Sequence, residues 1–462
     1  MSSTMNPSQA VAPAGPPDRK AFRRVMAGSM VGSVLEWYDY AIYGVLAATV
    51  LGPLFFKGSD PILQTLLSLA TMGIGFVARP VGGLVFGHLG DKFGRQPMLV
   101  ITFLMLGAST AAIGFLPTLA SAGVIATVLL VLLRLVQGFA LGGEFGAAVL
   151  LVSEYGEPKR RGLWASWPQA GAPLGTVLAT VVITILRQVF PGDAFLDWGW
   201  RAAFWVAVPL LAIGFWIRRG VEESPVFQQA QARADARNEL SEKSSLLEAL
   251  AKPRPILHGL GVRLGENVAF YVYTIFVLSY ATQIHHYPQG VVLNVVLFAS
   301  VAQFAGMVGG GWWSDKVGRK VSMIVPSVAL LIWAPIFFLL VGTHSTPLLA
   351  LGVIFGAFAH GMLAGPEAAW ITELFPTRYR YAGSSLVFQG SSIIAGAPAP
   401  LIALWLAGKW GWQPVAVYLA VTIAVTLVAL ITAKETRGRD LNGPNGPYDH
   451  AKPEPVGATV QD

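Results

Sequence analysis

Two carboxylates lie three residues apart inside the first long apolar segment of the chain. Glu36 and Asp39 occur in SVLEWYDYAIYG, and Tyr40 and Tyr43 continue the same helical face. A carboxyl group in a dry cavity resists ionisation, so such a group can bind and release a proton near neutral pH. The alternative is a structural pair tied to an arginine or to the backbone. We predict that Glu36 and Asp39 couple to protons and that the two tyrosines contact a substrate.

Three further charged residues interrupt apolar segments in the first half of the chain. Arg134 begins RLVQG, Glu144 lies in GGEFG, and Arg79 lies in FVARPVGG. A charge inside a membrane is costly, so it tends to face a cavity or a partner. We predict that Arg134 and Glu144 take part in proton coupling and that Arg79 binds a substrate anion. The alternatives are an anchor near a helix end for Arg134 and a salt bridge for Arg79 or Glu144.

A polar strip occurs in the second half, in RLGENVAFYVYTIF. Arg263, Glu266, Asn267 and Tyr271 share one helical face. A guanidinium suits a carboxylate, an amide suits hydroxyl groups, and an aromatic ring covers an apolar surface. We predict a substrate-binding strip. The alternative is an intrahelical pair of Arg263 with Glu266.

Other polar residues of apolar segments complete the predicted cavity. His360 and Glu367 are seven residues apart and share a helical face, which permits a proton relay or substrate contact. The alternative for His360 is a packing role. Gln169, Gln303 and Gln389 can add uncharged hydrogen-bond donors.

The composition indicates that a lipid bilayer surrounds these residues. The 462 residues are 54% hydrophobic and 12% charged, too few charges to coat a soluble globule of this size. There is no cysteine, so disulfides and thiolate metal sites are excluded. The net charge of +7 comes from short Lys and Arg clusters between apolar runs. This distribution favours a membrane surface over nucleic acid.

Twelve apolar segments are long enough to span a bilayer as helices. They lie near residues 22–52, 62–89, 97–116, 122–153, 162–190, 199–219, 254–284, 290–313, 320–342, 346–375, 380–407 and 412–433. Basic residues cluster on one side of these segments, which predicts that both termini are cytoplasmic.

The same pattern divides the chain into two halves. We predict a six-helix bundle over 22–219, a cytoplasmic linker with short amphipathic helices over 220–253, and a second bundle over 254–433. The tails, 1–21 and 434–462, are rich in Pro, Gly and polar residues and are predicted to be disordered.

The two halves echo one another in sequence. GHLGDKFGRQ at 87–96 resembles GWWSDKVGRK at 311–320, and Glu154 in SEYGEPKRRG corresponds to Glu373 in TELFPTRYRYAG. The two echoes have nearly the same spacing, which indicates an internal duplication. In membrane proteins such repeats place a binding site at their interface.

The repeated Gly-Asp-Gly-Arg loop resembles the signature loop of the major facilitator superfamily. Three stretches, SVLEWYDYAIYG, RLVQGFALGGEFGAAVLLVSEY and WRAAFWVAVPLLAIGFWIRRGVEESPVF, resemble the metabolite:proton symporters within it, which include shikimate, α-ketoglutarate, citrate and proline/betaine carriers. The second half is more similar to the shikimate-like branch. This resemblance implies proton symport across a bacterial inner membrane, with an arginine at position 134 that acts on a nearby acid.

The resemblance also implies a gate at the cytoplasmic face. In that family, charges of the repeated loops form a network that latches the outward-open state. The positions that match it here are Asp91, Arg95, Glu154, Asp315, Arg319 and Glu373. The alternative is a cluster that only orients the chain in the membrane.

Other classes of membrane protein fit the sequence less well. The paired loops argue against a channel, the scattered histidines argue against an embedded enzyme, and the chain contains no Gly-Lys-Ser nucleotide loop. We expect a monomeric symporter that imports a small organic acid with protons and needs no other cofactor. The alternative substrate is a zwitterionic osmolyte such as proline or betaine, which aromatic residues such as Trp37 and Tyr271 would surround.

Overall fold

The computed structural model describes residues 19–57, 61–93, 95–220, 245–376, 379–396, 398–439, 441 and 447–448. Within these ranges the regular structure is helical throughout. An all-helical fold suits a bilayer because a helix satisfies its own backbone hydrogen bonds without water.

Six long helices form each half. In the first half they are α1 (Arg19–Leu46), α2 (Pro61–Phe93), α3 (Arg95–Ile113), α4 (Val124–Tyr155), α5 (Arg161–Val189) and α6 (Ala207–Arg218). In the second half they are α7 (Pro253–Tyr271), α8 (Gln289–Val317), α9 (Arg319–Val341), α10 (Thr346–Glu373), α11 (Arg380–Ser391) and α12 (Trp412–Thr432).

Shorter helical pieces extend several of these helices or connect them. They are Ala47–Leu51, Gly52–Phe55, Leu119–Ala122, Pro158–Arg160, Phe195–Gly199, Trp200–Trp205, Ser245–Leu250, Val272–Phe276, Val277–Ser279, Tyr280–Ile284, Ser392–Gly396 and Ala399–Trp410.

Ten helices in the described residues are long and apolar enough to cross a membrane. The count rises to eleven if the bent pair Lys20–Leu46 and Thr49–Phe55 forms one span. The sequence predicts twelve. The difference lies at 253–284, which is helical along its whole length but carries Arg254, Arg263, Glu266 and Asn267. These polar residues lower its hydropathy, and Arg263, Glu266 and Asn267 are buried inside the bundle.

Large apolar side chains cover the outside of the bundle. Trp216, Phe115, Ile125 and Phe298 are each more than 60% exposed. A soluble protein of this size rarely exposes so many large apolar groups, whereas lipid accommodates them. The outer surface is therefore apolar, and the buried charges lie between the helices.

Glycines set the closest helix crossings in both halves. A side chain at Gly138 of α4 would overlap the backbone of Gly75 on α2, and one at Gly310 of α8 would meet Met362 on α10. Small residues at these crossings let the helix backbones approach closely. The pair α2–α4 and the pair α8–α10 occupy equivalent positions in the two halves, as expected for an internal repeat.

The halves meet where α5 of the first half and α11 of the second half each pack against the other half. Helix α5 packs on α8, and α11 packs on α2 and α4. Since α2 corresponds to α8 and α5 to α11, the two contacts are related by the internal repeat.

The second tail differs from the predicted disorder in the residues that the structure describes. Thr436 is 2% exposed and Leu441 is 5% exposed. Glu435 accepts hydrogen bonds from the backbone N–H groups of Arg319 and Lys320 at 2.9 and 3.0 Å. These contacts hold the segment against α9 although its Pro and Gly content is high. At the other end, α1 begins at Arg19, three residues before the predicted boundary.

Candidate functional site

Asp39 lies at the centre of a buried network that joins three helices. Its Oδ2 accepts a hydrogen bond of 2.8 Å from Nη1 of Arg134 on α4. Its Oδ1 accepts bonds of 2.9 Å from Thr110 on α3 and 2.8 Å from Gln137 on α4. Asp39 is 2% exposed. These three donors, one of which is a guanidinium, satisfy both carboxylate oxygens in a place that water does not reach.

The Tyr43 ring packs against the Arg134 guanidinium of this network. The guanidinium of Arg134 lies 3.5 Å from the centroid of the Tyr43 ring. The Tyr43 hydroxyl contacts Thr71 and the carbonyl oxygen of Ser68. Tyr43 is fully buried, so the structure places this predicted substrate contact beneath Arg134.

Glu36 faces a second arginine across a small cleft. Its Oε1 lies 3.4 Å from Nη2 of Arg79, and the Arg79 guanidinium lies 4.4 Å from the Phe76 ring centroid. The cleft is also lined by Asp39, Tyr40 and Arg134. The structure therefore brings both predicted carboxylates and both predicted arginines of the first half to one place.

Glu144 belongs to a different contact. Its Oε1 lies 2.6 Å from Nη2 of Arg218 at the end of α6. Arg218 also donates to the carbonyl oxygens of Gly28 and Leu99. This buried group ties α1, α3, α4 and α6 together. Arg218 is not among the predicted site residues, and it is 5% exposed.

The second half holds a buried cluster around Arg263. Its Nη1 lies 3.0 Å from Glu367 on α10 and 3.5 Å from Glu266 on α7. Its Nε donates to Ser391 on α11 at 2.8 Å. The predicted intrahelical pair and a contact between helices thus occur together.

His360 extends this cluster toward α8. Its Nε2 lies 3.0 Å from Oε1 of Glu266. Its Nδ1 lies 2.8 Å from Nε2 of Gln303. Since the Gln303 amide nitrogen can only donate, Nδ1 accepts, and the ring proton lies on Nε2 and is donated to Glu266. The predicted face shared by His360 and Glu367 therefore meets α7 and α8.

An aromatic cavity separates the two halves. It is lined by Trp37 and Tyr40 from the first half and by Phe270 and Thr274 from the second. The Trp37 and Phe270 rings are 4.8 Å apart, and Phe270 lies 5.5 Å from the His360 ring. The cavity lies toward the end of the bundle that is opposite to the first residue of α1. The sequence named Trp37 as a candidate for a zwitterionic substrate, but it could not show that Trp37 meets Phe270 of the other half.

Four further predicted binding residues are not among those that line this cavity. Tyr271 lies beside Tyr40, with ring centroids 5.9 Å apart. Asn267 donates to the carbonyl oxygen of Arg263 at 2.8 Å, a contact within its own helix. Gln389 donates at 3.4 Å to the carbonyl oxygen of Gly142, across the two halves. Gln169 is 8% exposed, and among the described residues its amide nitrogen has no acceptor.

Charged residues join the halves at the end of the bundle where α1 begins. Glu373 of α10 contacts Arg319 of α9 at 3.1 Å and Arg161 of α5 at 3.2 Å. The two Asp315 carboxylate oxygens each accept a bond of 2.9 Å, one from the N–H of Gly162 and one from that of Leu163. A carboxylate of the second half thus caps α5 of the first half. We call Arg161, Asp315, Arg319 and Glu373 the latch.

The second tail is joined to the latch. The Thr436 hydroxyl donates to Glu373 at 2.6 Å, and Arg161 donates to the carbonyl oxygen of Arg439 at 3.1 Å. Burial raises the pKa of Glu435, but backbone N–H donors, among them those of Lys320 and Arg437, outweigh burial and lower that pKa below its usual value. No sequence signal pointed to this role of the tail.

Three predicted gate residues lie outside the part of the chain whose side chains are described. They are Asp91, Arg95 and Glu154. The same holds for linker residues 221–244. Among the described side chains, no group of three or more His, Asp or Glu residues is arranged to hold a metal ion.

Comparison with known proteins gives a consistent result. The profile of the Major Facilitator Superfamily matches residues 25–395 and 296–456. The inner membrane metabolite transport protein YhjE of Escherichia coli is 37% identical over 90% of this chain and 95% of its own length.

Two further relatives carry different substrates in their names. The shikimate transporter of Escherichia coli is 34% identical over 90% of this chain and 95% of its own length. The proline/betaine transporter of Escherichia coli is 34% identical over 92% of this chain and 86% of its own length. The identities are equal, so they do not select a substrate.

A solved structure shares the fold. The proton:xylose symporter XylE bound to 6-bromo-6-deoxy-D-glucose superposes with a TM-score of 0.73, over 92% of this chain and 98% of that chain. Its sequence identity is 17%.

Proposed function

We propose, because this chain belongs to the Major Facilitator Superfamily, that it is a proton-coupled symporter that imports a small organic acid by alternating access. It is a multi-pass inner-membrane transporter and not an enzyme. In this proposal the polar helix at 253–284 and the bent first helix complete twelve spans, and both termini are cytoplasmic.

The observation that carries the proposal is the contact of Asp39 with Arg134. An ionised Asp39 holds Arg134 at 2.8 Å. A proton on Asp39 removes the charge that holds the guanidinium, so Arg134 is released and α1 can move relative to α4. Proton binding then alters helix packing without a further cofactor.

Arg79 is the candidate anchor for a substrate carboxylate. Its distance of 3.4 Å from Glu36 is longer than that of the Asp39 pair, and its side chain is 13% exposed. Glu36 can be neutralised by a proton, which frees Arg79 for a carboxylate beside the aromatic cavity. An acid and a proton would then bind together.

A zwitterion such as betaine is the second candidate substrate. The aromatic lining by Trp37, Tyr40 and Phe270 favours it, because aromatic faces attract quaternary ammonium groups. Shikimate, proline and betaine all carry a carboxylate, so Arg79 serves either class.

The test is uptake into proteoliposomes with an imposed inward proton gradient. Shikimate, α-ketoglutarate, citrate, proline and glycine betaine are supplied as radiolabelled substrates, with and without an uncoupler. We expect accumulation of an acid that the uncoupler abolishes. Accumulation of betaine or proline alone would select the second candidate, and uptake that the uncoupler leaves unchanged would contradict proton symport.

A further inference from the structure

The cluster around Arg263 contains two carboxyl groups, one guanidinium and one imidazole among the described residues. Arg263 is its only guanidinium among the described residues, while Glu266 and Glu367 both contact the same Nη1 atom. Glu367 and His360 are fully buried, and Glu266 is 6% exposed. A net charge in such a place is costly, so the cluster takes up a proton instead.

The surrounding helices supply no compensating cation within the described ranges. Helix α8 contributes the uncharged amide of Gln303, and α11 contributes the hydroxyl of Ser391. Arg79 of α2 faces Glu36, and the nearby Tyr271 is neutral as a phenol. The missing positive charge must therefore come from within the cluster.

The position of the extra proton follows from the hydrogen bonds of His360. Its Nδ1 accepts from Gln303, so the imidazole is neutral and its single proton lies on Nε2. The extra proton must then lie on a carboxyl group. Glu367 Oε1 and Glu266 Oε2 are both buried without a hydrogen-bond partner among the described residues, so each carboxyl group has an oxygen on which the proton can lie.

We propose that Glu266 and Glu367 share one exchangeable proton, forming a second proton-binding site in the half of the molecule opposite Asp39. This site rests on the proposed function for its role: it makes two proton sites, one on each side of the substrate cavity. Phe270 lies between the cavity and His360, so one layer of side chains separates substrate from this proton.

The charge balance makes a specific prediction for single variants. In Glu367→Gln the remaining Glu266 balances Arg263 and ionises, and in Glu266→Gln the remaining Glu367 does the same. Either variant alone therefore removes the protonated carboxyl. In Arg263→Gln neither carboxyl has a cation, so both take up a proton.

Infrared difference spectroscopy of the purified full-length protein measures this directly, without any substrate. We expect a protonated-carboxyl signal at neutral pH that decreases by the contribution of one carboxyl group in Glu367→Gln and in Glu266→Gln and increases by the contribution of one in Arg263→Gln. Labelling with ¹³C-glutamate should shift the wild-type band, which tests the assignment even if a variant does not fold. Glu157→Gln, an exposed residue of the 156–160 connection, is the control and should leave the band unchanged.

A signal of unchanged amplitude in both glutamine variants, or one that does not shift with ¹³C-glutamate, overturns the second site. Its outcome is independent of the uptake screen. If the screen identifies a substrate, reversal-potential measurements should give one proton fewer per substrate in Glu367→Gln than in the wild type. An unchanged ratio would also overturn the proposal.

Discussion

Two buried arginines of the first half are held by carboxylates. Asp39 engages Arg134 at 2.8 Å, and Glu144 engages Arg218 at 2.6 Å. Removing one partner of such a pair leaves an uncompensated buried charge, which costs about 3–5 kcal/mol. A proton that neutralises the acid has the same local effect, but it is reversible. Protonation of Asp39 should therefore strongly weaken the packing of α1 against α4.

Replacing Asp39 by asparagine should separate coupling from substrate movement. Asp39→Asn keeps the shape of the side chain but cannot bind or release a proton, so uptake driven by a pH gradient should fall at least about tenfold. Exchange of substrate across the membrane without net proton flow should persist. Both are measured in proteoliposomes with the substrate from the uptake screen. Asp193→Asn, on an exposed loop, is the control, and full gradient-driven uptake by Asp39→Asn would remove this residue from the mechanism.

The sequence identifies charged residues more readily than their partners. Asp39 and Arg134 could be named because charges in apolar segments are conspicuous. Thr110 and Gln137 could not, because the register of α3 and α4 against α1 depends on packing between helices. Trp37 could be named as an aromatic candidate, but its position in the cavity could not be predicted from the sequence.

At the scale of the helices, spacing alone predicted close approach but not its partner. The four-residue repeat of Gly138 and Gly142 indicates a flat helix face. In the structure Gly138 meets the backbone of Gly75 and Gly142 meets that of Arg79. This crossing of α4 over α2 fixes the positions of Arg134 and Arg79 relative to one another. Small residues thus determine where the charged residues lie.

A methyl group at Gly138 should force α2 and α4 apart. Gly138→Ala overlaps the Gly75 backbone, and such overpacking typically costs about 1–3 kcal/mol. We expect a lower midpoint of thermal unfolding in detergent, together with reduced uptake. Gly73→Ala is the matched control, because nothing lies within 4 Å of a side chain built there. Equal midpoints for the two variants would show that α2 and α4 adjust without cost.

The tail carboxylate Glu435 should stabilise the protein only while it is ionised. Burial raises its pKa, but backbone N–H donors, including that of Lys320 at 3.0 Å, outweigh burial and lower the pKa below 4.5. A lowered pKa adds stability above the ordinary value, and that stability is lost as the pH falls through the lowered value.

Glu435→Gln should therefore unfold earlier than wild type at pH 7, by roughly 1–2 °C. The gap should close as the pH falls below 4.5. Thermal unfolding followed by intrinsic fluorescence at several pH values gives both results, with the exposed Glu157→Gln as the control. A gap that is independent of pH would mean that the charge of Glu435 is not what matters.

At the scale of the whole molecule, the interface between the two halves differs at its two ends. At the end where α1 begins, the latch joins the halves in two ways. Asp315 of α8 accepts a hydrogen bond from the backbone of α5, and Glu373 of α10 contacts Arg161 of α5. The aromatic cavity lies toward the opposite end. The repeated loop predicted that Asp315 and Arg319 form charged contacts at this end. It did not predict that Arg161 takes part. Its role arises because α5 and α8 meet, which one sequence cannot reveal.

Removing the charge of Glu373 should open the latch. Glu373→Gln leaves Arg161 without its carboxylate and weakens the hold on Arg319, so the population should shift toward the state open at the latch end. The chain has no native cysteine, so a single Ser166→Cys reports on the α5–α8 contact, where Ser166 is buried against Gly311.

Maleimide labelling of Ser166→Cys should be slow in the otherwise wild-type protein and on the order of tenfold faster with Glu373→Gln, a shift of about 1.4 kcal/mol. Thr180→Cys, which lines the aromatic cavity, should change in the opposite direction, because alternating access closes one side as the other opens. The exposed Glu157→Gln should alter neither rate. If both cysteines became more reactive, the latch would be holding the fold together rather than selecting a conformation, and alternating access would need a different lock.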